Sequence, residues 1–403
     1  MRNRVIGIVV ALMGAIGEQA VGQTIYVDVE NDAVRKYLDD VWYDRDSESE
    51  IYNYVDGNVR QDMPNPAVIN VPESAGDIVT VSIGERVDLA DCTTQQMAVE
   101  DGCVKIYNLT PHCKYYYKAE GEGWKAEGEI NVTGRVRMVS FPSVRNMRDM
   151  GGWPCGDEYV IKYGKIYRGA ELNGDNVATE ADIEGLLQIG IGAEIDLREK
   201  DENDGAGISA FGFSGDDNTY LFTDNSGCCE RGHLTGYVWT QRYRKEFEFI
   251  VANLREGRAV YHHCVKGADR TGLLALLMEG LLGVSYEDMV KDYELTSFYK
   301  LRTKKNIDFV FDYIESLTGE TLQDKFKYYF TNRLYVSLAD INYFTQEMLE
   351  KKVVVGIEEH VAPQGGIRPS TVYDLNGQPS QEDGKGVRIV VGSDGGSRKV
   401  LVK

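Results

Sequence analysis

The sequence predicts an α/β domain, with a central, mostly parallel sheet flanked by helices, preceded by an all-β sandwich module. Three observations carry this expectation. Residues 138–352 alternate short apolar runs with stretches of helical periodicity, the pattern of a largely parallel sheet. Residues 23–137 hold short or alternating apolar runs punctuated by Gly, Asn, Asp and Pro. Within the α/β region, one strand leads through a tight loop into a helix and carries Cys264, Gly267 and Arg270 at the junction.

The chain opens on Met1, Arg2, Asn3 and Arg4, followed by an apolar run from Val5 to Ile16 and then Ala20, Val21 and Gly22. Small residues at the −3 and −1 positions of a cleavage site make residues 1–22 read as a secretory signal peptide. The apolar run is shorter than the roughly 20 residues that span a bilayer. The expectation is therefore an exported protein (periplasmic, cell-surface or secreted) with no integral membrane span after cleavage. A formal net charge of −20 argues against non-specific nucleic-acid binding, so an anionic substrate needs a local basic pocket. Seven cysteines in an exported protein permit disulfides, and the odd count leaves at least one thiol over. With no CxxC pair and five scattered His, a structural zinc site has little support, and no metal or cofactor is called for.

In the β region, strands are expected at Ile25 to Val29, Ile78 to Ile83, Cys103 to Tyr107 and Tyr115 to Lys118; residues 30–66, acidic and rich in Tyr and Asn, receive no assignment. The run from Leu109 to Tyr117 resembles the corner of a fibronectin type III module spanning roughly residues 67–136, with Tyr115 as the corner tyrosine. An edge hairpin of the α/β domain is the alternative, and the partner of such a module is unknown. In the α/β region, Ala193 to Leu197 and Ala259 to His262 read as buried strands. Thr179 to Gln188, Gly236 to Asn253, Thr271 to Leu282, Tyr286 to Tyr293 and Asn306 to Leu317 read as helices. Residues 353–403 are Gly-rich and β-like. The run Thr371 to Gly377 and the ending Arg398 to Lys403 resemble the sorting domain of proteins exported by the type IX system, a plain third β-module being the alternative.

The chemistry is concentrated in Ala259 to Gly272, Ala-Val-Tyr-His-His-Cys-Val-Lys-Gly-Ala-Asp-Arg-Thr-Gly. An apolar strand delivers Cys264 to the C-terminal edge of the sheet, where ligands of open α/β sheets bind. The loop Val265, Lys266, Gly267 and Ala268 turns backbone N–H groups toward an anion, and the positive end of the following helix points at the same place and favours the thiolate. Arg270 closes the loop and grips two phosphoryl oxygens with its planar fork, a geometry Lys cannot copy. Thr271 is placed to bring its hydroxyl to the Cys264 sulfur and assist its departure. His263 reads as a partner that fixes the Cys264 backbone.

These residues form the HCx5R signature and resemble the protein tyrosine phosphatase superfamily. Asn146-Met-Arg148-Asp149-Met-Gly151-Gly152, Gly164 to Leu172 and Ile195-Asp196-Leu197-Arg198 are similar, in order and spacing, to motifs of its bacterial tyrosine and dual-specificity branch, across roughly Val144 to Leu349. The resemblance implies hydrolysis of a phosphorylated protein or small phosphomonoester through a phosphocysteine. It also implies a general acid on a loop over the pocket. Asp224, 40 residues before Cys264, fits the place where the superfamily keeps its movable acid. Asp269, adjoining the loop Arg, is the rival, with Asp216 or Asp217 as further candidates. Arg148 and Asp149 are expected to pin the loop, Asp196 and Arg198 to tie the strand's end to neighbouring helices, and Arg168 to line the mouth. Inositol phosphates or phosphoinositides are the alternative substrates. They require several cations around the loop, and Ala268 stands where many members have Lys. An inactive phosphate-binding or adhesion protein is the alternative of another class.

Overall fold

The computed structural model describes residues 21–57, 60–225, 229–352, 371–373, 386–391 and 397–402. The signal-peptide expectation falls almost entirely outside them. The chain divides into two units, residues 1–350 and 351–403. Of the second, the described part is an antiparallel meander of three strands, Thr371–Tyr373, Gly386–Val391 and Ser397–Val402. Of the two runs compared with a sorting domain, residues 374–377 and 403 lie outside the described residues.

The first unit opens with strand β1 (Val21–Asp28) and helix α1 (Asp32–Asp40). Strands β2 (Ala67–Asn70), β3 (Ile78–Gly84), β4 (Thr93–Ala98), β5 (Cys103–Ile106), β6 (Lys114–Gly121) and β7 (Trp124–Thr133) follow. They form a five-stranded sheet in the order β1-β7-β6-β3-β4 and a two-stranded sheet β2-β5, antiparallel throughout except that β1 runs parallel to β7. Alternation sends Val79, Val81, Tyr117, Ile130, Ile69 and Val104 into one shared apolar core. Leu109 is buried in the same core, and the Tyr115 hydroxyl accepts the Thr110 amide at 3.1 Å.

Helix α1 was not anticipated. Asn31 caps it by accepting the Ala33 and Val34 amides, and Val34, Tyr37 and Leu38 recur at helical spacing on one buried face. That face joins the core of the α/β part, together with Val41, Tyr43 and Ile51. The Tyr37 and Tyr43 hydroxyls both donate to Glu294 of that part, at 2.9 and 2.5 Å. Residues 32–51, left unassigned by sequence, thus pack away from the β core.

The α/β part continues with β8 (Arg148–Asp149), the hairpin β9 (Pro154–Cys155) and β10 (Tyr159–Ile161), β11 (Ile166–Ala170), α2 (Glu180–Gln188), β12 (Ile191–Asp196) and β13 (Tyr220–Phe222). Then come α3 (Arg231–Thr235), α4 (Tyr237–Arg255), β14 (Ala259–Cys264), α5 (Asp269–Leu282), α6 (Tyr286–Leu295), α7 (Asp308–Glu315), α8 (Leu322–Asn332) and α9 (Leu338–Met348). The sheet order is β13-β12-β14-β11-β8, parallel except for β8 at one edge. Every residue of β14 and every residue of α5 from Thr271 to Leu282 is buried, so the Cys264 strand and its helix lie in the interior of the first unit. Helix α5 begins two residues earlier than its apolar periodicity indicates, which puts Arg270 in its first turn. No helix among the described residues is long and apolar enough to cross a membrane. Cys229 is disulfide-bonded, whereas Cys92, Cys103, Cys113 and Cys264 are free thiols.

Candidate active site

Cys264 sits at the carboxyl end of the central strand, paired across the ladder with Ala170 of β11, and its side chain is buried. The chain then turns through Val265, Lys266, Gly267 and Ala268 into α5. Gly267 has φ +65°, and a Cβ there would lie 2.3 Å from the carbonyl carbon of Gly169, so both conformation and space demand glycine.

The hydrogen bonding of this turn is one-sided. The Val265 carbonyl accepts the Glu171 amide (3.3 Å), the Lys266 carbonyl accepts the Asn146 carboxamide (2.9 Å), and the Gly267 carbonyl accepts Asn146 (3.1 Å) and Arg168 (3.4 Å). No amide from Val265 to Thr271 donates to a protein acceptor among the described residues. Helix α5 also starts at Ala268 with no side-chain cap. Since buried backbone groups are nearly always paired, carbonyls tied off and amides left over make a cradle for an anion, reinforced by the helix's positive end.

Arg270 holds a bidentate pair with Glu202, at 2.6 and 2.8 Å, and the two side chains are only 13% and 26% exposed. Burial pulls the Arg270 guanidinium down, yet the hydrogen bonds to Glu202 and the field of Cys264 hold it above its ordinary value. Burial likewise raises Glu202, and the Arg270 contacts outweigh it to leave that carboxyl below its usual range. Beside them, Arg302 grips both oxygens of Asp269 at 2.6 Å each, and the Tyr293 hydroxyl donates to Asp269 at 3.1 Å. Lys266 is half-exposed and lies 3.8 Å from Asp175.

Beneath the loop lies a buried charge network. Asp292 receives Arg148 (2.9 Å) and Arg168 (2.5 Å), all three about 1% exposed. Burial would raise Asp292, but the two arginines hold it far below the carboxylate range. Neighbouring Glu279, buried next to that anion, is pushed well above it. His262 is held neutral, lowered to about 3 by burial and then by the Arg168 charge. His263 turns its Nε2 to Glu194 at 3.0 Å and stacks on Tyr261. Arg198 is fully buried, bonded to Asp196, Glu171 and the Gly205 carbonyl, so the pair orders the 199–207 loop rather than reaching a helix. Arg168, expected at the mouth, is instead interior.

The structure brings Cys264, the loop residues 265–268, Asp269, Arg270 and Thr271 into one turn. The Thr271 hydroxyl is buried without a hydrogen-bond partner among the described residues, so its expected bond to the Cys264 sulfur is not formed. Asp224 stands apart. It has φ +47°, accepts the Lys200 amide at 2.7 Å, lies 3.9 Å from Arg242, and makes no hydrogen bond or ion pair with the 264–271 turn among the described residues. Its link to the turn runs through the 199–207 loop that carries Glu202. Asp216 and Asp217 are exposed in the turn before β13. Sequence reasoning missed Glu202, Arg302, Asp292 and Glu279. Glu202 sits in a run of acidic residues that reads as a solvated face, and the others carry no motif; only the need of a buried guanidinium for an anion signals them.

Residues 139–351, just over half of the chain, match the family model described as "Tyrosine phosphatase family". The chain is 25% identical over 207 residues to "Putative tyrosine-protein phosphatase H16_A0669" of Cupriavidus necator, covering 48% of this chain and 70% of that one. It is 28% identical over 144 residues to "Tyrosine-protein phosphatase" of Nostoc commune, covering 32% of this chain and 48% of that one, so it spans about half of that relative's length. Against the solved structure titled "Crystal structure of P. aeruginosa TpbA" the TM-score is 0.30 at 15% identity, covering 47% and 94% of the two chains, a likeness too low to carry an argument. A family model matched over more than half of the chain, with curated relatives bearing the same name, makes this chain a member of the tyrosine phosphatase family and a phosphatase hydrolase.

Proposed function

We propose that this enzyme hydrolyses phosphotyrosine in proteins through a phosphocysteine formed on Cys264. The observation that carries the reading is the one-sided turn from Val265 to Thr271, with carbonyls held from behind and amides unspent, between a buried cysteine and the fork of Arg270. In the first step the Cys264 thiolate attacks phosphorus, the phosphorus–oxygen bond breaks and an Asp carboxyl gives its proton to the departing oxygen. In the second, water attacks phosphorus, the phosphorus–sulfur bond breaks and the Asp takes the proton from water. The amides and Arg270 stabilise the equatorial oxygens in both. Asp269 has both oxygens engaged by Arg302 and Tyr293, which favours Asp224 as the acid.

The supply of cations supports a single phosphoryl group over a polyphosphate. Arg148 and Arg168 are buried on Asp292, Arg302 is paired with Asp269, and Arg145 folds back onto the Pro142 and Val144 carbonyls. Lys266 and Arg270 are left to meet substrate, Arg270 by exchanging its Glu202 partner for the phosphoryl group. Phosphate release from phosphotyrosine, phosphoserine and inositol hexakisphosphate substrates, measured side by side, tests this choice, and preferred hydrolysis of the inositol compound overturns it. For the mechanism, Cys264→Ser should abolish turnover of an aryl phosphate at saturating substrate while EDTA leaves the native rate unchanged; a Ser variant that still turns over sinks it.

The same proposal includes an exported location, which rests on residues 1–22 and is checked by whether the mature chain begins at Gln23. The fibronectin-like reading of residues 67–136 is supported by the Tyr115 hydroxyl bonded to the Thr110 amide, five residues upstream, as a corner tyrosine requires.

A further inference from the structure

The catalytic turn is held by a residue from far outside the matched family region. Asn146, whose carboxamide ties the Lys266 and Gly267 carbonyls, is itself in the left-handed region at φ +50°, a conformation that asparagine adopts more readily than most non-glycine residues. Its backbone is held by Asp62. One Asp62 oxygen accepts the Asn146 amide at 2.7 Å, and the other accepts Arg60 Nε at 2.6 Å; Asp62 is 2% and Asn146 3% exposed. Arg60 Nη2 donates to the Val144 carbonyl at 2.5 Å, clamping the same segment from a second side. Asp62 is fixed in turn: the Asn31 carboxamide donates to the Gln61 and Met63 carbonyls at 2.8 and 2.9 Å, while its oxygen caps α1. The chain of contacts runs from the cap of α1 through Asp62 and Asn146 to the phosphate-binding turn.

We propose that Asp62 is a positioning residue for catalysis, holding Asn146 in the conformation that ties the Lys266 and Gly267 carbonyls back and leaves the amides of the turn for phosphate. The proposal rests on the reading of that turn as the phosphate site. Asp62 touches neither substrate nor Cys264; it acts through Asn146. Losing its oxygen leaves a buried Asn146 amide unpaired, so the turn relaxes and its amides lose their common aim.

The test uses the full chain and two readouts, hydrolysis of p-nitrophenyl phosphate and equilibrium binding of inorganic phosphate. Asp62→Ala should lower kcat/KM and weaken phosphate binding on the order of tenfold or more, because sub-ångström misplacement of such groups costs that much. Asp62→Asn, which keeps an oxygen for the Asn146 amide, should recover both to within about threefold of the native chain. A residue with only a structural role would lower the melting temperature in both variants without this split in phosphate binding. Asp62→Ala with both readouts within about twofold of native overturns the proposal. Should Asp62→Ala fail to fold, Arg60→Ala, at a side chain 28% exposed, gives the same signature at about threefold, and unchanged phosphate binding there overturns it equally. Turnover retained by Cys264→Ser would fail the phosphocysteine reading and this one with it. An inactive Cys264→Ser beside an unaltered Asp62→Ala fails the positioning role alone.

Discussion

At the scale of single residues, the two candidate acids differ in what they are already doing. Asp269 is the anchor of Arg302 and Tyr293, and its removal would free a guanidinium beside the 264–271 turn. Asp224 keeps 40% of its side chain exposed and gives one oxygen to the Lys200 amide. An acid matters in proportion to how poorly the leaving group departs unaided. Asp224→Asn should therefore slow phenyl phosphate by roughly 10²-fold or more and p-nitrophenyl phosphate far less. Asp269→Asn should slow both alike, since it disturbs the turn rather than the proton. A leaving-group dependence that follows Asp269 instead reverses the assignment. That Cys264, Gly267, Arg270 and Thr271 share one turn was legible because they lie within eight consecutive residues of the chain. Glu202 was not, because it reaches Arg270 from 68 residues away and only the fold brings the pair together.

At the scale of elements, the Asp224 segment is anchored rather than loose. Thr223 and Asn225 on either side are buried, and the Asn225 carboxamide donates to Glu246 of α4 at 2.8 Å, so Asp224 projects from between two fixed neighbours. Glu246 is fully buried, and burial raises its pKa above the ordinary value, only partly offset by Asn225. A carboxyl whose folded pKa is raised contributes stability that is complete below its unfolded value, about 4.3, and is lost as pH rises through the folded one. Glu246→Gln keeps an oxygen for Asn225 and removes the titration. Its stability relative to the native chain should therefore increase from about pH 4 to pH 8, read as the difference in denaturant midpoints. A difference that is flat or falls with pH would show that the buried group is ionised throughout. Helices α2 and α4 were readable from periodicity because each packs an apolar face on the sheet, whereas α5, buried on every side, and α6, packed on α5, were readable from their dense apolar content. Helix α1 escaped because it lies in a short acidic segment between strands, where the repeat Val34, Tyr37, Leu38 and Val41 is brief and the partner surface is more than 200 residues away in the chain.

At the scale of the whole first unit, the division suggested by sequence texture and the division made by packing differ. The α/β texture begins near residue 138, and the matched family region begins at 139. Yet Val34, Tyr37, Leu38, Val41, Tyr43 and Ile51 are all at most 5% exposed within the α/β core. At roughly 1.5–3 kcal/mol for each buried large apolar side chain, these six contribute on the order of 10 kcal/mol. That is comparable with the total stability of a domain, about 5–15 kcal/mol. Polar terms add to it: without this segment Glu294 loses both tyrosine hydroxyls, and Lys291 Nζ, 3% exposed at the side chain, loses the Leu38 carbonyl it bonds at 2.8 Å. A chain truncated to residues 138–352 should therefore show no cooperative denaturant transition, although it contains every motif that resembles the family. One that begins at residue 30 should keep the transition. A 138–352 chain that unfolds cooperatively within about 2 kcal/mol of the full chain would mean that the N-terminal segment decorates the core instead of completing it.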